Sequence, residues 1–222
     1  MVLPRAPRAV IFDMDGLLCD TEAVYRDAMQ ATTAELGYPM PLALFHSMIG
    51  LPGPASDRRV LDHFGEDFPL AAFHGRVAER VDRACEAGIP LKRGVVELLD
   101  HLDDVRLPMA IVTSSSHRSV RAHLGLSGIV PRFHAVIARG DYARGKPHPD
   151  PFLTAAERLR VAPELCLALE DSHNGVRSAS AAGMMTVMVP DLLEVTDEMR
   201  RLCVRIAADL HDVRGWLRGG DG

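Results

Sequence analysis

The chain has 222 residues, 47% of them hydrophobic, and its 25 Lys and Arg against 30 Asp and Glu give a formal net charge of -5. That apolar share supplies a sizeable core and excludes a disordered chain, and the acidic balance argues against nucleic acid or an anionic membrane as partner. A negatively charged substrate would need local cations inside an acidic protein.

No stretch approaches the roughly 20 apolar residues that span a bilayer, and Met1–Arg8 lacks the apolar run of a secretory leader. Cys19, Cys85, Cys166 and Cys203 are scattered without a CxxC pair, and the ten histidines form no HxxxH or HExxH pattern. Reduced packing cysteines, no zinc site, a cytoplasmic location and a monomer are the expectations. In chain order, the first strand-like run is Ala9-Val10-Ile11-Phe12, ending in Asp13-Met14-Asp15-Gly16. A buried strand that delivers two carboxylates to its carboxyl end places them where ligands sit in open α/β sheets. Desolvating such groups costs several kcal/mol, roughly, unless a cation or a reaction requires them. A solvated turn is the competing reading of these residues alone.

From Thr21 to Gly88 no buried strand is expected. Val24, Ala28 and Ala31 share a helical face that Gly37-Tyr38-Pro39 ends, and Ser56–Phe64 and Leu70–Ala87 also read as helices. Beyond this segment, Val95, Leu98, Leu99 and Leu102 form one apolar helical stripe. Short buried strands are expected at Met109–Val112, Ala135–Ala138, Cys166–Leu169 and Thr186–Val189. Asp150-Pro151 reads as an N-cap with proline at N1, and Gly183 ends a helix over Asn174–Ala182. Alternating strand and helix predicts a doubly wound, Rossmann-like α/β core with a parallel sheet, residues 1–19 and 90–222. Residues 20–89 are then an inserted helical cap, placed in the chain after the first strand to exclude water and choose substrates.

Three further clusters fall at strand ends. Thr113-Ser114-Ser115-Ser116 enters a helix at His117, an arrangement suited equally to phosphate binding and to an ordinary N-cap by Ser116. Lys146 stands in Gly145-Lys146-Pro147-His148-Pro149-Asp150, where prolines stiffen a loop that can present a point charge. Glu170-Asp171-Ser172 again closes an apolar run with carboxylates. Two such strands side by side would suit a hard, oxygen-preferring cation, foremost Mg²⁺.

DMDGLLCDTE at Asp13–Glu22, IVTSSS at Ile111–Ser116, GKPHPDPF at Gly145–Phe152 and LEDSHNGVRSASAAGM at Leu169–Met184 together resemble the haloacid dehalogenase superfamily. The resemblance is to its helical-cap subfamily, in the β-phosphoglucomutase-like and sugar-phosphate phosphatase group. It implies Asp13 as nucleophile and Asp15 as general acid/base, whose main-chain carbonyl also meets Mg²⁺. It implies Ser114 and Lys146 on the transferring phosphoryl group, with Gly16 and Ser115 beside them, and Asp13, Asp15, Glu170 and Asp171 around the metal. The partner is then a small phosphorylated metabolite. An acid at Asp15 favours phosphate over halide chemistry, because a halide leaves without a proton.

The leading expectation is a Mg²⁺-dependent phosphatase working through an aspartyl-phosphate. A β-phosphoglucomutase is the alternative. Against it, the loop Ile49-Gly50-Leu51-Pro52-Gly53-Pro54 carries no arginine and Tyr25 stands where a mutase-like histidine is expected, although Arg58 or Arg59 suits a shifted loop. Cleavage of phosphonates is disfavoured, since Thr21–Gly88 has no lysine and Lys92 lies beyond it. A catalytically silent phosphometabolite sensor is the alternative of another class. Met184, Met185 and Met188 read as core, Trp216 as an anchor, and Arg76, Arg80 and Arg83 as a solvated face. His117 and Arg118 lie where they can touch substrate.

Overall fold

A computed structural model describes residues 3–49, 51 and 53–219; Met1, Val2, Gly50, Pro52 and the tail from Gly220 to Gly222 lie outside the described residues. Contacts divide the chain into two compact units, Met1–Asp20 with Pro90–Gly222, and Thr21–Ile89.

The first unit holds strands β1 (Ala9–Phe12), β2 (Met109–Val112), β3 (Ala135–Ile137), β4 (Cys166–Glu170), β5 (Met185–Met188) and β6 (Arg205–Ile206). They pair in the order β3-β2-β1-β4-β5-β6, every pair parallel. β1 and β4 are therefore neighbours, with Phe12 beside Leu169. This is the doubly wound parallel sheet that the strand and helix alternation predicts.

Side-chain alternation sends Ala9, Ile11, Ala110, Val112, Cys166 and Ala168 to one face. There they form a core with Phe152, Ala155 and Ala156 and with Ala179 and Ala182. Those five come from the helices α7 (Asp150–Leu159) and α8 (His173–Ala181) or the residue that ends α8. The small residues on the strands admit the Phe152 ring, whose full burial contributes about 1.5–3 kcal/mol. Three further helices of this unit are α5 (Val95–Asp104), α6 (His117–Leu124) and α9 (Asp197–Leu202), and α10 (Leu210–Arg218) closes the chain and packs on α5. Met184, Met185 and Met188 are buried as core residues, and Arg205 lies 5.0 Å over the Trp216 ring.

In the second unit the described residues form helices joined by turns, with no strand among them: α1 (Thr21–Glu35), α2 (Leu42–Met48), α3 (Gly53–Phe64) and α4 (Leu70–Ala87). Its core centres on Phe68, whose ring meets Tyr38 and Phe64 at 5.1 Å and Phe73 at 5.5 Å. Arg76 and Arg80 pair with Glu35, and Arg58 pairs with Asp62 and Glu66. The apolar faces of its helices line a cavity of about 380 Å³ that includes Met29, Val60, Phe73 and Val77.

Three local expectations are corrected. Asp150 does not cap α7: Pro149 occupies that position, and the Asp150 carboxylate instead accepts from Arg144 at 2.9 and 3.2 Å, which holds its carboxyl below the usual range. β5 runs one residue earlier than the expected Thr186–Val189, and β3 stops at Ile137. β6 and α2 carry no apolar repeat long enough to announce them.

Candidate active site

Because β1 and β4 are adjacent and parallel, the acids that follow or end them meet. Asp13 follows β1, and its backbone N–H donates to the Leu169 carbonyl of β4 at 2.9 Å. Glu170 closes β4 and is fully buried. Its Oε2 accepts from the backbone N–H groups of Asp171 (3.1 Å) and Ser172 (3.2 Å) and from the Ser172 hydroxyl (3.1 Å). Ser172 also caps α8, accepting from the Gly175 N–H at 3.1 Å, so Glu170 sits at a helix N-terminus that favours negative charge. A Cβ on Gly175 would overlap the Glu170 carboxylate, which explains a glycine in the first turn of α8.

Lys146 reaches both acids. Its Nζ donates to Asp13 Oδ1, to Glu170 Oε1 at 2.5 Å and to the Val112 carbonyl at 3.1 Å, while its charge also lies 5.3 Å from the Phe152 ring centroid. Two anions hold the ammonium well above the ordinary lysine range despite its burial, so it stays charged. Burial pushes the Asp13 carboxyl up to about 8, against the downward pull of Lys146 and with the repulsion of Glu170 and Asp15. Burial likewise carries Asp171 well above the carboxylate range, helped by Asp13 and Glu170.

Asp13, Glu170 and Asp171 can each offer an oxygen within 4.8 Å of the others. With all three ionised, three carboxylates against one ammonium would leave two negative charges. Protons meet that deficit where Asp13 and Asp171 titrate high, and a divalent cation would meet it in their place, three carboxylate oxygens being the donors a hard cation prefers. The donor set therefore fits such an ion.

Asp15 belongs to a second group of contacts. Its Oδ2 accepts from the Ser115 hydroxyl at 2.8 Å, with the Thr113 hydroxyl at 3.4 Å, and its Oδ1 meets Nδ1 of His123 at 3.0 Å. Ligand atoms of Asp15, Cys19 and His123 lie within 4.8 Å of one another, with the Cys19 thiol turned to the Met14 carbonyl at 3.5 Å. Nothing in the sequence singles out His123; only the fold, with α6 following β2 in the chain, brings it to a carboxylate 108 positions away.

Two expected phosphate-binding residues have other partners in this structure. The Ser115 hydroxyl is spent on Asp15 and its N–H on the Thr113 hydroxyl at 2.9 Å. The Gly16 N–H donates to the Cys19 carbonyl at 3.0 Å. With φ of +83°, Gly16 instead makes room for Asp171, whose carboxylate a Cβ there would overlap. Ser114 is exposed at the end of β2, beside the Tyr142 hydroxyl. Ser116 caps α6, accepting from the Ser119 N–H at 3.1 Å, and His117 pairs with Asp141 at 2.8 Å.

Among the described residues, no helix is long and apolar enough to cross a membrane. The chain is 33% identical over 208 residues to the plasmid-borne protein CbbY of Cupriavidus necator, covering 86% of this chain and 81% of that protein. It is 31% identical over 176 residues to the phosphorylated carbohydrates phosphatase of Thermotoga maritima, covering 79% and 82%. A crystal structure of a HAD family hydrolase from Deinococcus radiodurans, with bound phosphate and sodium, superposes with a TM-score of 0.83 at 26% identity, covering 97% of each chain. The family model for haloacid dehalogenase-like hydrolases matches residues 7–183, the span that carries every acid of the site and Lys146. The chain belongs to the haloacid dehalogenase-like hydrolase family.

Proposed function

We propose that this hydrolase is a Mg²⁺-dependent phosphatase of small phosphorylated metabolites, sugar phosphates foremost, working through a phosphorylated Asp13. The observation that carries the reading is the buried triad of Asp13, Lys146 and Glu170 at the carboxyl ends of two adjacent strands. A sensor would need no nucleophile set against a donor-only cation. The name of the Thermotoga maritima relative supports the carbohydrate class.

Asp13, Glu170 and Asp171, with the Asp15 main-chain carbonyl, would hold Mg²⁺, which when bound offsets the charge of the phosphoryl oxygens. Lys146 lowers the repulsion between the Asp13 carboxylate and an anionic ester. An Asp13 oxygen attacks phosphorus as the bond to the leaving oxygen breaks, and the Asp15 carboxyl gives that oxygen its proton. In the second half, the Asp15 carboxylate takes a proton from water as the water oxygen attacks phosphorus, releasing phosphate and the Asp13 carboxylate. Ser114, exposed at the end of β2, contributes a hydroxyl to the phosphoryl group. The helical unit Thr21–Ile89, inserted in the chain between β1 and α5, is assigned substrate choice and exclusion of water.

The test is phosphate release from sugar phosphates, nucleotides and phosphoglycolate, with and without Mg²⁺, beside Asp13→Asn. Release that needs Mg²⁺ and falls at least about 10³-fold in Asp13→Asn is expected. Full activity in Asp13→Asn removes the nucleophile, and hexose phosphate isomerisation faster than phosphate release replaces the phosphatase with a mutase.

A further inference from the structure

The two oxygens of the Asp15 carboxylate are held from different elements of the first unit. Ser115, just past β2, takes Oδ2 at 2.8 Å, and His123, in the last turn of α6, takes Oδ1 at 3.0 Å. A carboxylate bonded at one oxygen still swings about that contact. Bonding both oxygens from two directions fixes its plane. His123 is itself well placed to do this: it is 9% exposed, and Val120 and Leu124 on the same helix are buried with it. A ring so confined has few rotamers, so the orientation of Asp15 is set by a rigid helix rather than by a loop.

We propose that His123 is a positioning residue that aligns Asp15 for proton transfer to the leaving oxygen; this rests on the acid/base reading of Asp15 given above. The nature of the partners carries the argument further. Asp13, which must attack as an anion, is held by an ammonium that can only donate. Asp15, which must alternate between acid and base, is held by a hydroxyl and an imidazole, each able to donate or accept. An arginine or lysine in place of His123 would favour the ionised carboxylate alone. The imidazole ring aligns the group without dictating one state, and the proton itself passes only between Asp15 and the leaving oxygen or water. Removing the ring takes away the contact to Oδ1 and leaves the Ser115 and Thr113 hydroxyls on Oδ2, so the plane of the carboxyl group is less firmly set.

The experiment compares wild type, His123→Leu, His123→Asn and Asp15→Asn in single turnovers of phenyl phosphate and p-nitrophenyl phosphate. The two esters are close in shape, but p-nitrophenolate departs without a proton far more readily than phenolate. Because a well-aligned general acid supplies about 10²–10⁴-fold, loss of alignment is expected to slow phenol release in His123→Leu by about tenfold. Release of p-nitrophenolate and KM for both esters should stay within about twofold. His123→Asn, whose amide can still reach Oδ1, should recover most of the loss. A folded Leu variant that slows both esters equally, or neither, overturns the proposal. Asp15→Asn separates the two ideas: selective slowing of phenyl phosphate there but not in His123→Leu sinks His123 alone. No selectivity in Asp15→Asn sinks the acid reading and His123 with it. The ring nitrogen resonance of His123 by ¹⁵N NMR gives a readout free of turnover, and an Nδ1 signal identical in wild type and Asp15→Asn also overturns the contact.

Discussion

Replacing Lys146 by methionine keeps the length and apolar character of the side chain and removes its charge. Glu170 Oε1 and Asp13 Oδ1 then face each other in a buried site without their cation. Breaking a buried ion pair from one side costs about 3–5 kcal/mol. At about 2–4 °C per kcal/mol for a protein of this size, the thermal midpoint should fall by about 6–20 °C, read by circular dichroism in EDTA. The pH dependence has a definite sign. The Asp13 carboxyl stands at about 8 in the folded protein, far above its unfolded value, so its protonated form adds stability that is present at low pH and lost as pH rises. In wild type that loss ends once pH passes about 8. Without Lys146 the downward pull on Asp13 is gone, its pKa rises further, and the loss continues. The gap between the two proteins should therefore be wider at pH 10 than at pH 8, by at most about 1.4 kcal/mol per pH unit from Asp13. A divalent cation should close part of the gap. Equal midpoints at pH 9.5 in EDTA would show that Lys146 does not compensate these acids, and the charge count behind the metal and phosphoryl site would fall with it.

Gly175→Ala puts a methyl group into the Glu170 carboxylate, so about 1–3 kcal/mol of stability should be lost and Mg²⁺ affinity by calorimetry should weaken; unchanged affinity means Glu170 has room to move. Phe68→Ala removes the ring that meets Tyr38, Phe64 and Phe73, at a cost of about 3–5 kcal/mol. Hydrogen exchange should show faster opening first among the amides of Thr21–Ile89, and unchanged protection there contradicts the aromatic core. Burial pushes the Cys166 and Cys203 thiols up to about 11, so at pH 8 only about one in a thousand is the reactive thiolate. Both should resist thiol reagents until pH approaches 11, and rapid native-state labelling at either position near pH 8 counts against that burial.

The sheet was legible where its strands are apolar without interruption. Ala9–Phe12 and Met109–Val112 are each flanked by polar or breaker residues, and both are buried along their whole length. β5 begins one residue before the expected Thr186, because Met184–Pro190 is apolar except for Thr186 and offers no alternation to set the phase. β6 was missed since Arg205–Ile206 is too short to carry a period, and it owes its place to pairing with Val187 and Met188. α2 lay hidden for a related reason: seven residues give under two full turns, too few for a helical stripe to stand out.

The candidate site divides in the same way. Asp13, Glu170 and Asp171 were legible because acids at the ends of apolar runs are costly and therefore informative. Lys146 was legible only in company, since a lone lysine in a loop is usually solvated, and its full engagement with two acids follows from the adjacency of β1 and β4. Ser115, Gly16 and His123 depend on geometry that sequence spacing does not encode. Ser115 and Ser114 are neighbours of one residue type, yet one turns to Asp15 while the other is exposed, because successive residues leaving β2 point in different directions. Gly16 reads as a loop glycine near a phosphate, and its physical use is to let the Asp171 carboxylate approach the chain. His123 is one of ten histidines and becomes distinct only when α6 carries it to Asp15. Residue type thus reveals where charge is concentrated. What each charge can do depends on its partner: a donor-only lysine pulls Asp13 toward the anion against the burial that favours its protonated form, and partners that both donate and accept favour neither state of Asp15.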